Sequence, residues 1–140
     1  PARHGGRTPL SVAAQNGHLE VVKALIDARA NVNMAMNDGQ TPLFMAASGG
    51  HLEVVKALID AGANVDLALD TGVTPLLQAA FMGHVEVVRL LVRAGADSTL
   101  AGDMGPPIDN ICKAPGADKA NEPEIRAILL SATEAEPSAS

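Results

Sequence analysis

The chain has 140 residues, of which 47% are apolar and 1% aromatic, and its formal net charge is −6 at pH 7. This length fits one domain, and the apolar residues are numerous enough to fill a core. The acidic balance and the absence of Tyr and Trp exclude nucleic acid as an expected partner, because phosphates require basic groups and bases require aromatic stacking. The apolar runs are too short to cross a bilayer, and the single cysteine excludes an intrachain disulfide or a cysteine-based zinc site.

The sequence repeats itself with a period of 33 residues. Residues 6–33 and 39–66 are identical at 21 of 28 positions, and residues 39–66 and 72–99 at 15 of 28. Such a repeat predicts a stack of similar units, each of which buries its apolar face only against its neighbours. The recurring segments include Thr8-Pro9-Leu10, Thr41-Pro42-Leu43 and Thr74-Pro75-Leu76, and also Gly17-His18, Gly50-His51 and Gly83-His84.

Each unit predicts two short helices. Thr8 is a typical N-cap, and proline suits the first helical position, so a first helix is expected over about Pro9–Asn16, ending at Gly17. A second helix is expected over about Leu19–Ala28. Its buried stripe is formed by residues spaced three and four apart, namely Val22, Leu25 and Ile26.

The segments between units carry turn signals. Asp38-Gly39 and Asp70-Thr71-Gly72 predict hairpin-like turns. Gly62 and Gly95 are expected to close the second helices of their units in the left-handed conformation. Arg29 stands at the same position of the first unit, where it would adopt a positive φ at a cost of about 1 kcal/mol.

The order and the period of the recurring motifs resemble the ankyrin repeat. These motifs are Thr-Pro-Leu, Ala-Ala, Gly-His-x-Glu-Val-Val and Gly-Ala-Asn/Asp. The resemblance implies an all-α solenoid of stacked helix-turn-helix units joined by β-hairpin-like loops. It also implies repeats at about 3–35, 36–68 and 69–101, followed by a degenerate capping repeat at 102–132. Residues 133–140, which are mostly small and include two glutamates and a proline, are expected to form a disordered acidic tail.

The fourth unit departs from the pattern. Ile111-Cys112 take the place of Ala-Ala, and a longer loop follows before a helix predicted over Pro123–Leu130. Arg126 falls where Val22, Val55 and Val88 stand in the other units. A charge at a stacking position indicates that nothing stacks beyond it, so this unit is predicted to be a C-terminal cap.

No catalytic or metal-binding constellation is visible, so neither enzyme activity nor a cofactor is expected. His18-Leu19-Glu20 and its copies at 51–53 and 84–86 could suggest metal ligands, but they lie on successive units without partner ligands. The resemblance implies a structural role for this histidine at the start of the helix. Cys112 aligns with a small buried alanine and is expected to be buried rather than nucleophilic.

The resemblance implies binding to another protein through the hairpin tips and the exposed side of the first helices. Met36, Leu69, Phe81 and Met82 are expected to form an apolar centre, although Met36 and Leu69 could instead pack against the next unit. Phe44 could either join them or pack between units. The predicted partner-binding residues are Arg7, Gln15, Asn16, Met36, Asn37, Asp38, Gln40, Ser48, Leu69, Asp70, Thr71, Val73, Phe81 and Met82, with His4 and Gly5 beside them.

The leading hypothesis is therefore a non-catalytic protein-interaction module. Two alternatives stay open: a structural linker subunit of a large assembly, in an organelle or elsewhere, and an ankyrin segment that recruits substrate to a multidomain enzyme. The chain begins at Pro1 rather than Met, which leads us to expect a fragment or a processed product. An intracellular, cytoplasmic location is expected, with an organellar one after transit-peptide removal as the alternative.

Overall fold

The computed structural model describes residues 7–134, and the helices found there pair into successive units. Two 3₁₀ turns, Pro107–Asp109 and Lys119–Asn121, lie before the last helix. No strand occurs in this part of the chain, as predicted for an all-α solenoid. The helices are α1 (Pro9–Asn16), α2 (Leu19–Asp27), α3 (Pro42–Gly49), α4 (Leu52–Asp60), α5 (Pro75–Met82), α6 (Val85–Arg93) and α7 (Glu122–Glu134).

Threonine and glycine set the ends of the three first helices, as predicted. The hydroxyl of Thr41 accepts a hydrogen bond from the backbone N–H of Phe44 at 3.1 Å, and Thr74 caps α5 in the same way. Each helix is followed by a glycine in the left-handed conformation, with φ of 73° at Gly50. These caps satisfy backbone groups that a short helix leaves without intrahelical partners.

Alanine pairs allow the first helices to stack closely. Ala46 and Ala47 of α3 are completely buried, as are Ala79 and Ala80 of α5, so α1, α3 and α5 pack side by side. The second helices contribute larger side chains, such as Val55 and Leu58, to the same continuous core. In the predicted stripe of α2, Val22 is buried, whereas Leu25 and Ile26 are only partly buried.

The histidines that directly precede α4 and α6 link neighbouring units. Nε2 of His51 lies 3.0 Å from the carbonyl oxygen of Gln15, and Nε2 of His84 lies 2.9 Å from that of Ser48. Because a carbonyl can only accept, Nε2 is the donor in both contacts. The histidines thus satisfy carbonyls at the C-terminal ends of α1 and α3, which confirms their predicted structural role.

Arg29 adopts the left-handed conformation, with φ of 70°, where Gly62 and Gly95 both have φ of 93°. We expect Arg29→Gly to raise the free energy of unfolding by about 0.5–1 kcal/mol. Glycine removes the steric cost of this conformation, and its greater freedom in the unfolded chain offsets only part of that gain. Thermal unfolding followed by circular dichroism measures the effect. An unchanged or lower midpoint would contradict the prediction, and Arg29→Ala serves as the control that keeps a β-carbon.

The first helix of the fourth unit is reduced to the 3₁₀ turn Pro107–Asp109. Ile111 and Cys112 therefore do not occupy helical positions like Ala79 and Ala80, as their alignment had suggested. Cys112 has φ of 56°, and its N–H donates to the carbonyl of Ala80 at 2.8 Å. Its side chain is fully buried, as predicted.

Helix α7 closes the described stack. Ile125 and Leu129 are buried against the rest of the core, whereas Arg126 is exposed and forms an ion pair with Glu122 at 2.6 Å. The helix continues to Glu134, two residues into the segment predicted to be a disordered tail. Residues 135–140 of that segment lie outside the described residues.

Candidate functional site

Two hairpin-like tips precede the first helices of the second and third units. In the first tip, the N–H of Met36 donates to the carbonyl of Gln40 at 3.0 Å. In the second, the N–H of Leu69 donates to the carbonyl of Val73 at 2.9 Å. The side chain of Asp38 tightens the first tip further by accepting from the Gln40 side-chain amide at 2.7 Å.

Backbone hydrogen bonds join the tips into a row. The N–H of Asp70 donates to the carbonyl of Asp38 at 2.9 Å, and the N–H of Asp103 donates to the carbonyl of Thr71 at 3.0 Å. Each tip is therefore held by its neighbour as well as by its own turn. This row is a fixed framework for the side chains that project from it.

Asn and Asp side chains that precede the tips in the chain also join successive units. Oδ1 of Asn33 accepts from the N–H of Asn64 at 2.9 Å, and Oδ1 of Asp66 accepts from the N–H of Asp97 at 3.0 Å. Two hydrogen bonds from Thr99 lower the pKa of Asp97 below its ordinary value, and the bond from the hydroxyl contributes more than the bond from the N–H. Asp97 therefore keeps its charge, and its acceptor role, to lower pH than an ordinary aspartate.

The ends of the first helices form the second part of the site. The Oγ of Ser48 on α3 accepts from the side-chain amide of Gln78 on α5 at 3.0 Å, so adjacent helices present polar groups side by side. On α1, the Gln15 side chain accepts from the guanidinium of Arg7. Phe81 and Met82, at the end of α5, are both partly exposed.

The predicted binding residues differ in exposure. Arg7, Gln15, Asn16, Asn37, Asp38, Asp70 and Thr71 are exposed. Met36, Gln40, Ser48, Leu69, Phe81 and Met82 are partly exposed. His4 and Gly5 lie outside the described residues.

Val73 is the one predicted binding residue among the described residues that is buried, and a small second core explains its burial. Val73 is 8% exposed and packs with Phe44, which is 5% exposed, and with Leu77. Phe44 therefore packs between units and does not join the exposed apolar residues. Leu69 packs partly against the same cluster, so only part of its side chain is available to a partner.

The sequence-based prediction missed a third tip and two side chains on the first helices. Residues Gly102–Gly105 form an isolated antiparallel bridge, and the exposed Asp103 extends the row of tips. Val12 and Gln78 are partly exposed on α1 and α5. The 33-residue spacing could have found the third tip, since Asp103 stands one period after Asp70.

The described residues offer little for chemistry. Burial raises the pKa of the Cys112 thiol, with smaller contributions from neighbouring charges, so the protonated and poorly nucleophilic form is favoured. Within residues 7–132, no group of three or more His, Cys, Asp and Glu side chains could hold a metal ion. Among the helices described above, none is long and apolar enough to cross a membrane.

The family model for ankyrin repeats (3 copies) matches residues 10–101, which are most of the chain. The chain belongs to the ankyrin-repeat family. Ankyrin repeats are generally protein-interaction modules and are typically non-catalytic. A comparison with curated protein sequences gave no match.

Proposed function

We propose that this ankyrin-repeat chain binds a partner protein through the row of tips and the ends of the first helices. We call this region the inner surface. The observation that carries the proposal is the partial exposure of four large apolar side chains within an otherwise polar set. These side chains are Met36, Leu69, Phe81 and Met82.

The chemistry of these four residues suits an interface core. Met and Phe are enriched at protein interfaces, where they supply large contact areas that exclude water. Large apolar side chains left partly open to water are candidates for contact with a partner. Polar groups such as Gln15, Asn16 and Thr71 would form the rim around them.

The hydrogen-bonded tips favour binding without large rearrangement. Because Asp70 and Asp103 are joined by backbone bonds to the preceding tips, little loop freedom remains to be lost when a partner docks. A surface ordered in advance retains more of its contact energy as affinity.

Charge indicates what the partner surface carries. Each tip presents an exposed aspartate, Asp38, Asp70 or Asp103, and the whole chain is acidic. We infer that the partner offers apolar side chains flanked by Lys or Arg. Such complementarity speeds association and weakens as salt rises.

The test compares the unaltered chain with a variant of the inner surface. Partners are first captured from lysate of the source cells, and the affinity of the purified partner is then measured for each chain. We expect the variant to bind at least about tenfold more weakly, because buried Met and Phe side chains act as interface anchors. The variant carries Met36→Asp, Leu69→Ala, Phe81→Asp and Met82→Asp; alanine at position 69 avoids placing a carboxylate against the Phe44 cluster.

The control adds the same number of carboxylates at exposed positions of the last unit, through Ala120→Asp, Ala127→Asp and Leu130→Asp. It should bind like the unaltered chain. Circular dichroism must show that all three proteins are folded. If the inner-surface variant keeps full affinity while the control loses it, the binding site lies on the last unit and the proposal is wrong.

A further inference from the structure

The first unit exposes a valine that the next two units bury. Val21 is 49% exposed, whereas Val54 and Val87, one and two periods later, are each 2% exposed. The second and third units have a preceding unit among the described residues and the first does not, so we infer that the preceding unit covers this side chain. The same residue type at the same helical position therefore lies open on the outer end of the first unit.

An apolar pocket lies on the same end of the stack. It has a volume of about 210 Å³ and is lined mainly by Pro9, Leu10, Leu25, Ala30 and Met34. The counterparts of Leu25, which are Leu58 and Leu91, are completely buried. Together, Val21 and this pocket form what we call the N-terminal face.

Two polar groups of the first unit lack, among the described residues, the hydrogen-bond partners that their counterparts have in the next two units. His51 and His84 each bond a carbonyl of the preceding unit, but no described residue bonds the ring of the exposed His18. The N–H groups of Asn64 and Asp97 donate to a side-chain oxygen one unit back. Among the described residues, the N–H of Asn31 has no such acceptor.

We propose that the N-terminal face is the docking surface of a further ankyrin repeat that precedes these residues on the same polypeptide. Such a repeat brings the three things that the internal units receive: an aliphatic stripe against Val21, a helix-end carbonyl for His18, and an Asn or Asp oxygen for the N–H of Asn31. The proposal is independent of the inner surface and of its partner.

The opposite end of the stack argues against a second copy stacked head to tail. There, Arg126 forms an exposed ion pair with Glu122 at the position where the other units carry valine. Stacking that end against Val21 would remove the Arg126–Glu122 ion pair from water, which is costly. It would also leave Val21 facing charged groups instead of an apolar partner. A covalently preceding repeat carries no such cost.

The experiment extends the chain by one unit. A copy of residues 39–71 is placed directly before Gly6, which keeps the period of 33 residues. We expect the thermal midpoint to rise by about 5 °C or more, since each added interface contributes stability in a repeat stack. An unchanged or lower midpoint in a folded extended chain overturns the proposal.

A matched substitution tests whether the new unit occupies the N-terminal face. Val21→Ala should leave the midpoint of the original chain almost unchanged but lower that of the extended chain, just as Val54→Ala should lower that of the original chain. An equal effect of Val21→Ala in both chains overturns the proposal. Sedimentation of the original chain should show a monomer, and a dimer that Val21→Arg abolishes would overturn the proposal in favour of a second copy.

Discussion

Leu58→Ala is expected to lower the free energy of unfolding by about 2–5 kcal/mol, the usual cost of removing a fully buried leucine from a packed core. Leu58 is 0% exposed and belongs to the core cluster that runs through the stack. Because the neighbouring helices hold each other in place, the cavity can collapse only partly. A loss of this size is a large fraction of the stability of an ordinary domain, which is about 5–15 kcal/mol.

Leu25→Ala is the matched control, because Leu25 stands one period earlier but is only partly buried. It should cost clearly less, since part of its surface is already in contact with water. Denaturant unfolding must be followed by circular dichroism, because the chain has no Trp or Tyr to report by fluorescence. Equal losses for the two variants would show that the end unit is packed as tightly as the internal ones.

Gly39→Ala is expected to be strongly destabilising because the tips are packed against each other. A β-carbon at Gly39 would lie 2.9 Å from the Cα of Leu69 and 3.1 Å from the carbonyl oxygen of Ala68. Both are backbone atoms, so the second tip itself would have to move. Gly39 also has φ of 95°, which alone costs an alanine about 1–2 kcal/mol. Crowding should add about 1–3 kcal/mol.

Gly62→Ala separates the two effects, because Gly62 has φ of 93° but nothing within 4 Å of the added carbon. It should therefore show the backbone cost alone. The difference in unfolding free energy between the two variants measures the crowding between the tips. If the inner surface binds the partner, Gly39→Ala should also weaken binding, whereas Gly62→Ala should not. Similar stabilities for the two variants would mean that the tips are loosely packed.

The first helices illustrate what local sequence can predict. Threonine, proline and glycine act within one turn of their own position, so the bounds Pro9–Asn16 followed from the sequence and match the structure. The 33-residue period extended this interpretation to the second and third units. Arg29 was also predictable, because its glycine counterparts revealed a position that requires a positive φ.

The candidate site was only partly predictable, because exposure depends on what packs against each residue. Val73 stands on a tip whose other members are exposed, yet a cluster with Phe44 and Leu77 buries it. Leu69, on the same tip, is partly buried by that cluster. Neither outcome follows from position in the repeat.

By itself, the sequence determined the family, the period and the ends of most helices, since caps, turns and apolar stripes are local features repeated three times. The tertiary structure alone decided that the fourth unit begins with a 3₁₀ turn, and that Cys112 leaves it in a left-handed conformation to bond Ala80. It alone showed that Val21 is exposed and Val54 buried, although the two valines have the same local sequence. The physical reason is that burial in a stacked repeat depends on the neighbouring unit, and the outer end of the first unit has no described neighbour to cover it.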